Sequence, residues 1–207
     1  MTAGNPGRNA LKTFVGVLEE ITNMAAMRDC PYLLPATDAK VILYNKNGTW
    51  AIDYYIVVPK LQGMNLAELI EEHRALPRRV MLKYLLGAAR GLQHLHGANK
   101  SHGDLRLQNM LLQTKSPTAV CRLIDYGQMK PGNADLLRDD CNVFKNVCIQ
   151  ALCESWPGAA AIGPDQYERE SRGKAYMNIM AWRNVIGDIV DGLQTYIARS
   201  PKTGQQL

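Results

Sequence analysis

The stretch His102-Gly-Asp-Leu-Arg-Leu-Gln-Asn109 gathers an acid, a cation and an amide, and runs on into the apolar Met110-Leu111-Leu112. An acid five positions ahead of an amide, in a loop after a long helix, is an economical way to build half of a phosphoryl-transfer site. Asp104 can orient a hydroxyl nucleophile and take its proton, while the amide oxygen of Asn109 can hold Mg2+. Arg106, beside them, can neutralise charge on a phosphate in transfer. The chemistry needs a second acid to grip the metal that bridges the phosphates. Asp125 fits, because it ends the apolar run Leu123-Ile124 and is followed by Tyr126 and Gly127. Mg2+ takes hard oxygen ligands, which Asp and Asn supply and Cys does not.

These residues need elements to position them, and 207 residues suffice for one compact domain or two small lobes. Residues 1–10 carry Gly, Pro and Asn and are expected to be a flexible arm. Phe14, Val17, Leu18, Ile21 and Met24 recur at helical spacing and predict a helix over 11–27. Residues 39–59 read as two strands around Asn47-Gly48, the commonest hairpin signal. Asn65 is a candidate cap for a short helix over 64–73. Pro77 opens a longer helix to about His96, with Leu82, Leu85, Leu86, Ala89, Leu92 and Leu95 as its buried stripe. A short strand pair then flanks the two acids, and helices follow over 140–156 and 176–198. Helix, hairpin and then mostly helices give an α+β fold with a small front section and a helical bulk.

Composition narrows the function. Hydrophobic residues at 46% and charged ones at 21% are ordinary for a globular chain. The net charge of +5 suits an anionic ligand. However, the basic residues are scattered and aromatics are only 7%, which argues against a nucleic-acid stripe. The five cysteines (Cys30, Cys121, Cys141, Cys148 and Cys153) form no CxxC pair and lack histidines at metal spacing. Reduced thiols in a cytoplasmic compartment are the expectation. No run of 18 apolar residues exists and the first ten residues lack an apolar core, so neither a membrane span nor a signal peptide is expected.

His102-Gly-Asp-Leu-Arg-Leu-Gln-Asn109 resembles the protein-kinase catalytic loop, whose pattern is His-x-Asp-Leu-Lys-x-x-Asn. Asp125-Tyr-Gly127 resembles the family's Asp-Phe-Gly, and residues 87–104 look like the helix leading into that loop. Gly103, where the pattern usually has Arg, also occurs in aminoglycoside-phosphotransferase-type relatives. The resemblance implies a reduced kinase-like fold, with a flexible arm at 1–10, a small N-lobe over 11–61 and a helical C-lobe over 62–207. ATP and Mg2+ are the implied cofactors, and a nucleotide and a protein partner or substrate the implied partners. Position by position, Asp104 would be the catalytic base, Asn109 and Asp125 the metal ligands, and Arg106 the counterpart of the loop lysine. His102 would brace the loop. Val58 would be the gatekeeper, the Pro59 carbonyl and Leu61 amide would pair with adenine, and Leu111 would floor its pocket. Glu20, or its neighbour Glu19, falls at the helix-C glutamate, and Asp140, or Asp139, at the family's buried helix aspartate.

The resemblance covers about residues 11–155, and two parts of the family pattern are missing. Gly4-Asn-Pro-Gly7 is no Gly-x-Gly-x-x-Gly loop. Lys12 lies eight residues before Glu20, about half the family's distance, and is expected at the surface. After Asp125 no Ala-Pro-Glu fits, and Asp140 follows within fifteen residues. With Gly103 in the loop there is no basic partner for an activating phosphate, so switching by phosphorylation is not expected. Two readings stay open. One is a phosphotransferase acting on a protein Ser/Thr or a small hydroxyl compound. The other is a pseudokinase, serving as a nucleotide-binding or structural module in a larger assembly.

Overall fold

The computed structural model describes residues 6–72, 76–154 and 179–199. The chain divides into two compact units, one built from Met1–Asp29 with Leu34–Lys60, the other from Cys30–Leu33 with Leu61–Leu207.

In the first unit, helix α1 runs Pro6–Ala26. It begins five residues earlier than expected, so the flexible arm does not extend to residue 10. The fixed φ of proline and its missing N–H are both tolerated at a helix's first position, which is where Pro6 sits. Val17 and Met24 are buried, Phe14 and Ile21 half-buried, and Leu18 exposed. The helix packs against β2. Strands β1 (Asp38–Lys46) and β2 (Thr49–Val57) pair antiparallel from Lys46↔Thr49 to Asp38↔Val57. Asn47 and Gly48 make the turn at φ 54° and 79°, the two left-handed residues that match the twist of a two-residue hairpin.

In the second unit, Asn65 caps α2 (Leu66–Glu72) in a reciprocal box. Its Oδ1 accepts from the Glu68 N–H at 3.0 Å, and the Glu68 carboxylate accepts from the Asn65 N–H at 3.1 Å. Helix α3 (Arg78–Gly97) buries Leu82, Leu85, Ala89, Leu92 and Leu95 as expected, with Leu86 half-buried. Two short ladders follow: β3 (Lys100–Ser101) with β6 (Lys130–Pro131), and β4 (Met110–Leu112) with β5 (Cys121–Leu123). Helices α4 (Ala134–Glu154) and α5 (Ile179–Arg199) pack on α3 and on each other.

Cys30–Leu33 was expected in the N-lobe and instead belongs to the second unit. Leu33 bridges Leu123 in parallel, and the Tyr32 carbonyl accepts from the Leu123 N–H at 2.9 Å. A Cβ on Gly91 would lie 2.8 Å from the Tyr32 oxygen, so this stretch can pass α3 only at a glycine. Tyr32 also takes a 2.6 Å hydrogen bond from Arg90. The mixed helices and small sheets are those of a kinase-like α+β fold. Among the described residues no helix is long and apolar enough to cross a membrane, and Cys30, Cys121, Cys141 and Cys148 are free thiols.

Candidate active site

Asn99, left-handed at φ 57°, turns the chain off the end of α3 and into β3, and its carbonyl accepts from Gly132 N at 2.7 Å. The β3–β6 ladder then delivers His102, Gly103 and Asp104 to one loop. Asp140, 4% exposed on α4, anchors that loop: its Oδ2 accepts from the His102 N–H at 2.7 Å and its Oδ1 from the Gly103 N–H at 3.0 Å. His96, fully buried on α3, brings Nε2 to 3.1 Å from the same Oδ2. One carboxylate thus collects three donors, two from the loop and one from α3, which offsets the cost of burying it. Asp139, the competing choice, is 58% exposed and pairs with Arg138.

The His102 ring is also buried and uses both nitrogens. Nδ1 accepts from the Asp104 N–H at 3.3 Å, and Nε2 donates to the Ile124 carbonyl at 3.1 Å. This is the neutral ring. Burial holds its pKa below the ordinary 6.5, while the carboxylates of Asp140, Asp104 and Asp125 act in the opposite direction. All three acids are therefore near enough to be felt at one imidazole. Tyr126 presents its ring edge to His102 at 5.8 Å and donates its hydroxyl to the Leu123 carbonyl at 2.6 Å.

Asp104 and Asn109 form a single hydrogen-bonded piece. Asn109, 4% exposed, donates Nδ2 to the Asp104 carbonyl at 2.8 Å and to its Oδ2 at 2.9 Å. Arg106 reaches the same Oδ2 at 3.2 Å from a side chain 54% exposed. The Asn109 carbonyl accepts from the Ile124 N–H at 3.0 Å, tying the loop to the residue before Asp125. Asp125 is exposed and left-handed at φ 65°, a conformation that costs a non-glycine residue about 1–2 kcal/mol. Among the described residues its Oδ1 has only a long 3.4 Å contact from the Gly127 N–H.

These donors fit the metal the sequence implies. With Nδ2 committed to Asp104, the Asn109 amide keeps Oδ1 as its acceptor, and Asp125 offers an exposed carboxylate. Both are hard oxygen donors suited to Mg2+, which keeps waters and phosphate oxygens for its other positions. Among the described residues no group of three or more His, Cys, Asp or Glu could hold a metal by itself.

The expected nucleotide residues divide between the units. Val58, 38% exposed, and half-buried Pro59 close the first unit, whereas half-buried Leu61 and Leu111 belong to the second. Leu111 sits on β4, bridged to Asn65. Glu20 is half-buried and Glu19 exposed on α1. The Lys12 side chain lies outside the described residues.

Sequence reasoning missed two features. His96 marks no more than a helix end in the local pattern, although a histidine next to Leu95 and four residues after Leu92 sits on the buried stripe. Gly103 registers in the sequence only as the loss of an arginine. It is left-handed at φ 80°, and a Cβ there would meet the Gln128 carbonyl at 2.7 Å.

A profile of the protein kinase domain matches residues 10–144, more than half of the chain. The chain belongs to the protein kinase family. It is similar to serine/threonine-protein kinase ULK3 of Xenopus laevis, with 34% identity over 42% of this chain and 18% of that protein. It is 23% identical to serine/threonine-protein kinase RAD53 of Saccharomyces cerevisiae over 74% of this chain and 18% of that protein. It is 27% identical to MAP kinase-activated protein kinase 2 of Mus musculus over 68% of this chain and 33% of that protein. The chain therefore spans well under half the length of these relatives.

Proposed function

We propose that this chain is an ATP- and Mg2+-dependent phosphotransferase whose acceptor is a Ser or Thr hydroxyl on a protein. The observation that carries the reading is the Asp104–Asn109 unit: a base candidate and a metal-ligand candidate, held by two hydrogen bonds of 2.8 and 2.9 Å. The similar kinases are named serine/threonine-protein kinases, which supports the hydroxyl class.

In this reading Asp104 accepts the acceptor's hydroxyl proton as the new oxygen–phosphorus bond forms and the bond to the ADP leaving group breaks. One oxygen of Asp104 stays with Asn109 and Arg106, which fixes the carboxylate and leaves the other oxygen for the proton. Mg2+, held by Asn109 Oδ1 and Asp125, would neutralise charge on the phosphates. Arg106 lies within reach of the same region and adds a second positive charge. His102, neutral and using both nitrogens, positions the loop and takes no proton in the reaction.

The test is transfer of the γ-phosphate from ATP to a Ser/Thr peptide mixture by the purified wild-type chain, compared with Asp104→Asn. Transfer by the wild type that falls by about 100-fold or more in the variant supports the reading. Equal rates in the two proteins overturn it in favour of a kinase-shaped module without catalysis.

A further inference from the structure

The β1–β2 hairpin is a two-stranded sheet with unusual surfaces. Among the described residues neither strand pairs with a third, so both edges present open backbone N–H and C=O groups. The exception is the Ala39 N–H on β1, which donates to Oδ1 of Asp38 at 2.8 Å and must be released for a partner strand to pair there. Strand β1 exposes Leu43 by 56% and also Ile42 and Tyr44; β2 exposes Trp50, Tyr54, Tyr55 and Val57. Open edges beside exposed apolar side chains recruit another strand unless charges guard them. Here the charges are Asp38, Lys40 and Lys46 on β1 and the single Asp53 on β2.

Those charges are arranged to accept one particular neighbour. In a two-fold symmetric antiparallel pair, residue i faces residue j and j faces i, so the sum of their numbers is constant. When two copies of β1 meet about Ile42, Asp38 of each faces Lys46 of the other, at both ends. Lys40 faces Tyr44, Val41 faces Leu43, and Ile42 faces itself. All nine residues of the strand are then paired and no like charges meet. Moving the axis to Leu43 sets Lys40 against Lys46, and moving it to Val41 leaves Lys46 outside the ladder. The other edge is less suited, because β2 meeting itself about its central Asp53 would juxtapose two carboxylates.

We propose that β1 is a homodimerisation edge, joining two copies of the chain into a four-stranded antiparallel sheet centred on Ile42. The lysines that would repel a generic strand become a register device that admits a second copy. The even-numbered face then runs Asp38, Lys40, Ile42, Tyr44, Lys46 against the same sequence reversed. Tyr44, already bonded to Asp53 at 3.4 Å on its own hairpin, stands across from Lys40 of the second copy.

Sedimentation velocity on the full chain over a concentration series tests the proposal. The wild type is expected to dimerise reversibly. Asp38→Lys, which sets lysine against Lys46, and Lys46→Asp, which sets aspartate against Asp38, should each weaken the dimer about tenfold or more. The double variant Asp38→Lys/Lys46→Asp should restore it. Ile42→Cys, facing itself within disulfide reach, should cross-link under mild oxidation above the wild-type background, while Leu43→Cys should not. A wild type that stays monomeric throughout, a dimer indifferent to the single charge reversals, or a double variant that fails to recover overturns the proposal. None of these readouts depends on phosphotransfer.

Discussion

The backbone N–H of His102 donates to Oδ2 of Asp140 at 2.7 Å, across 38 residues of chain. With the Gly103 bond to Oδ1, this makes a carboxylate on one helix the fixed point from which the loop bearing Asp104 is hung.

Asp140→Ala should therefore cost about 3 kcal/mol or more of unfolding free energy, since two backbone N–H groups and His96 lose a buried acceptor together. Asp139→Ala, one residue away but exposed, should stay within about 0.5 kcal/mol. Denaturant titration of the two variants measures the contrast; equal losses would remove Asp140 from its anchoring role.

Asp125→Ala should abolish the Mg2+-dependent part of nucleotide binding, because it removes the carboxylate proposed to hold the phosphate-bridging metal. Asp104→Asn should keep that binding and lose transfer. Thermal shift with ATP, with and without Mg2+, separates the two variants. A wild-type shift that Asp125→Ala leaves unchanged would rule out Asp125 as a ligand.

Stability should depend on pH through His102. Its folded pKa lies below 6.5, so as the medium acidifies the unfolded chain takes a proton that the buried ring refuses. The stability it lends is complete above about pH 6.5 and is lost as pH falls from there through the depressed folded value. In His102→Asn the fall in unfolding free energy between about pH 7 and 5.5 should be shallower, whatever the variant's absolute stability. An unchanged slope would contradict the assignment.

Gly103→Ala should destabilise by about 2 kcal/mol or more, combining a left-handed backbone with a Cβ pressed on the Gln128 carbonyl. Gly103→Arg, which restores the commoner family residue, should do no better. Wild-type stability in either variant would show that the loop relaxes away from Gln128.

Much of this was legible from short-range pattern. Asn47-Gly48 dictates its turn by left-handed φ alone, Asn65 and Glu68 meet because N-cap and third helical position always do, and Asp104 and Asn109 are joined across five residues. What escaped depends on approaches that no local pattern encodes. His96 meets Asp140 across 44 residues, and Gly103 meets the Gln128 carbonyl only because the β3–β6 ladder folds one strand onto the other. The early helix start at Pro6 was hidden for the opposite reason: proline and glycine read as breakers, although proline is tolerated at a helix's first position.

The four residues Cys30–Leu33 carry a practical consequence. They lie between α1 and β1 in the chain, yet belong to the unit that holds Asp104 and Asp125. No single cut can therefore release that unit whole. A fragment begun at Leu61 would carry the loop bearing Asp104 intact but lack Leu33 beside Leu123 and the Tyr32 carbonyl that takes the Leu123 N–H, so β5 would be left with a raw edge two residues before Asp125. Any attempt to graft or trim this chain has to treat Cys30–Leu33 as an inseparable splint, supplied in cis or added back as a peptide.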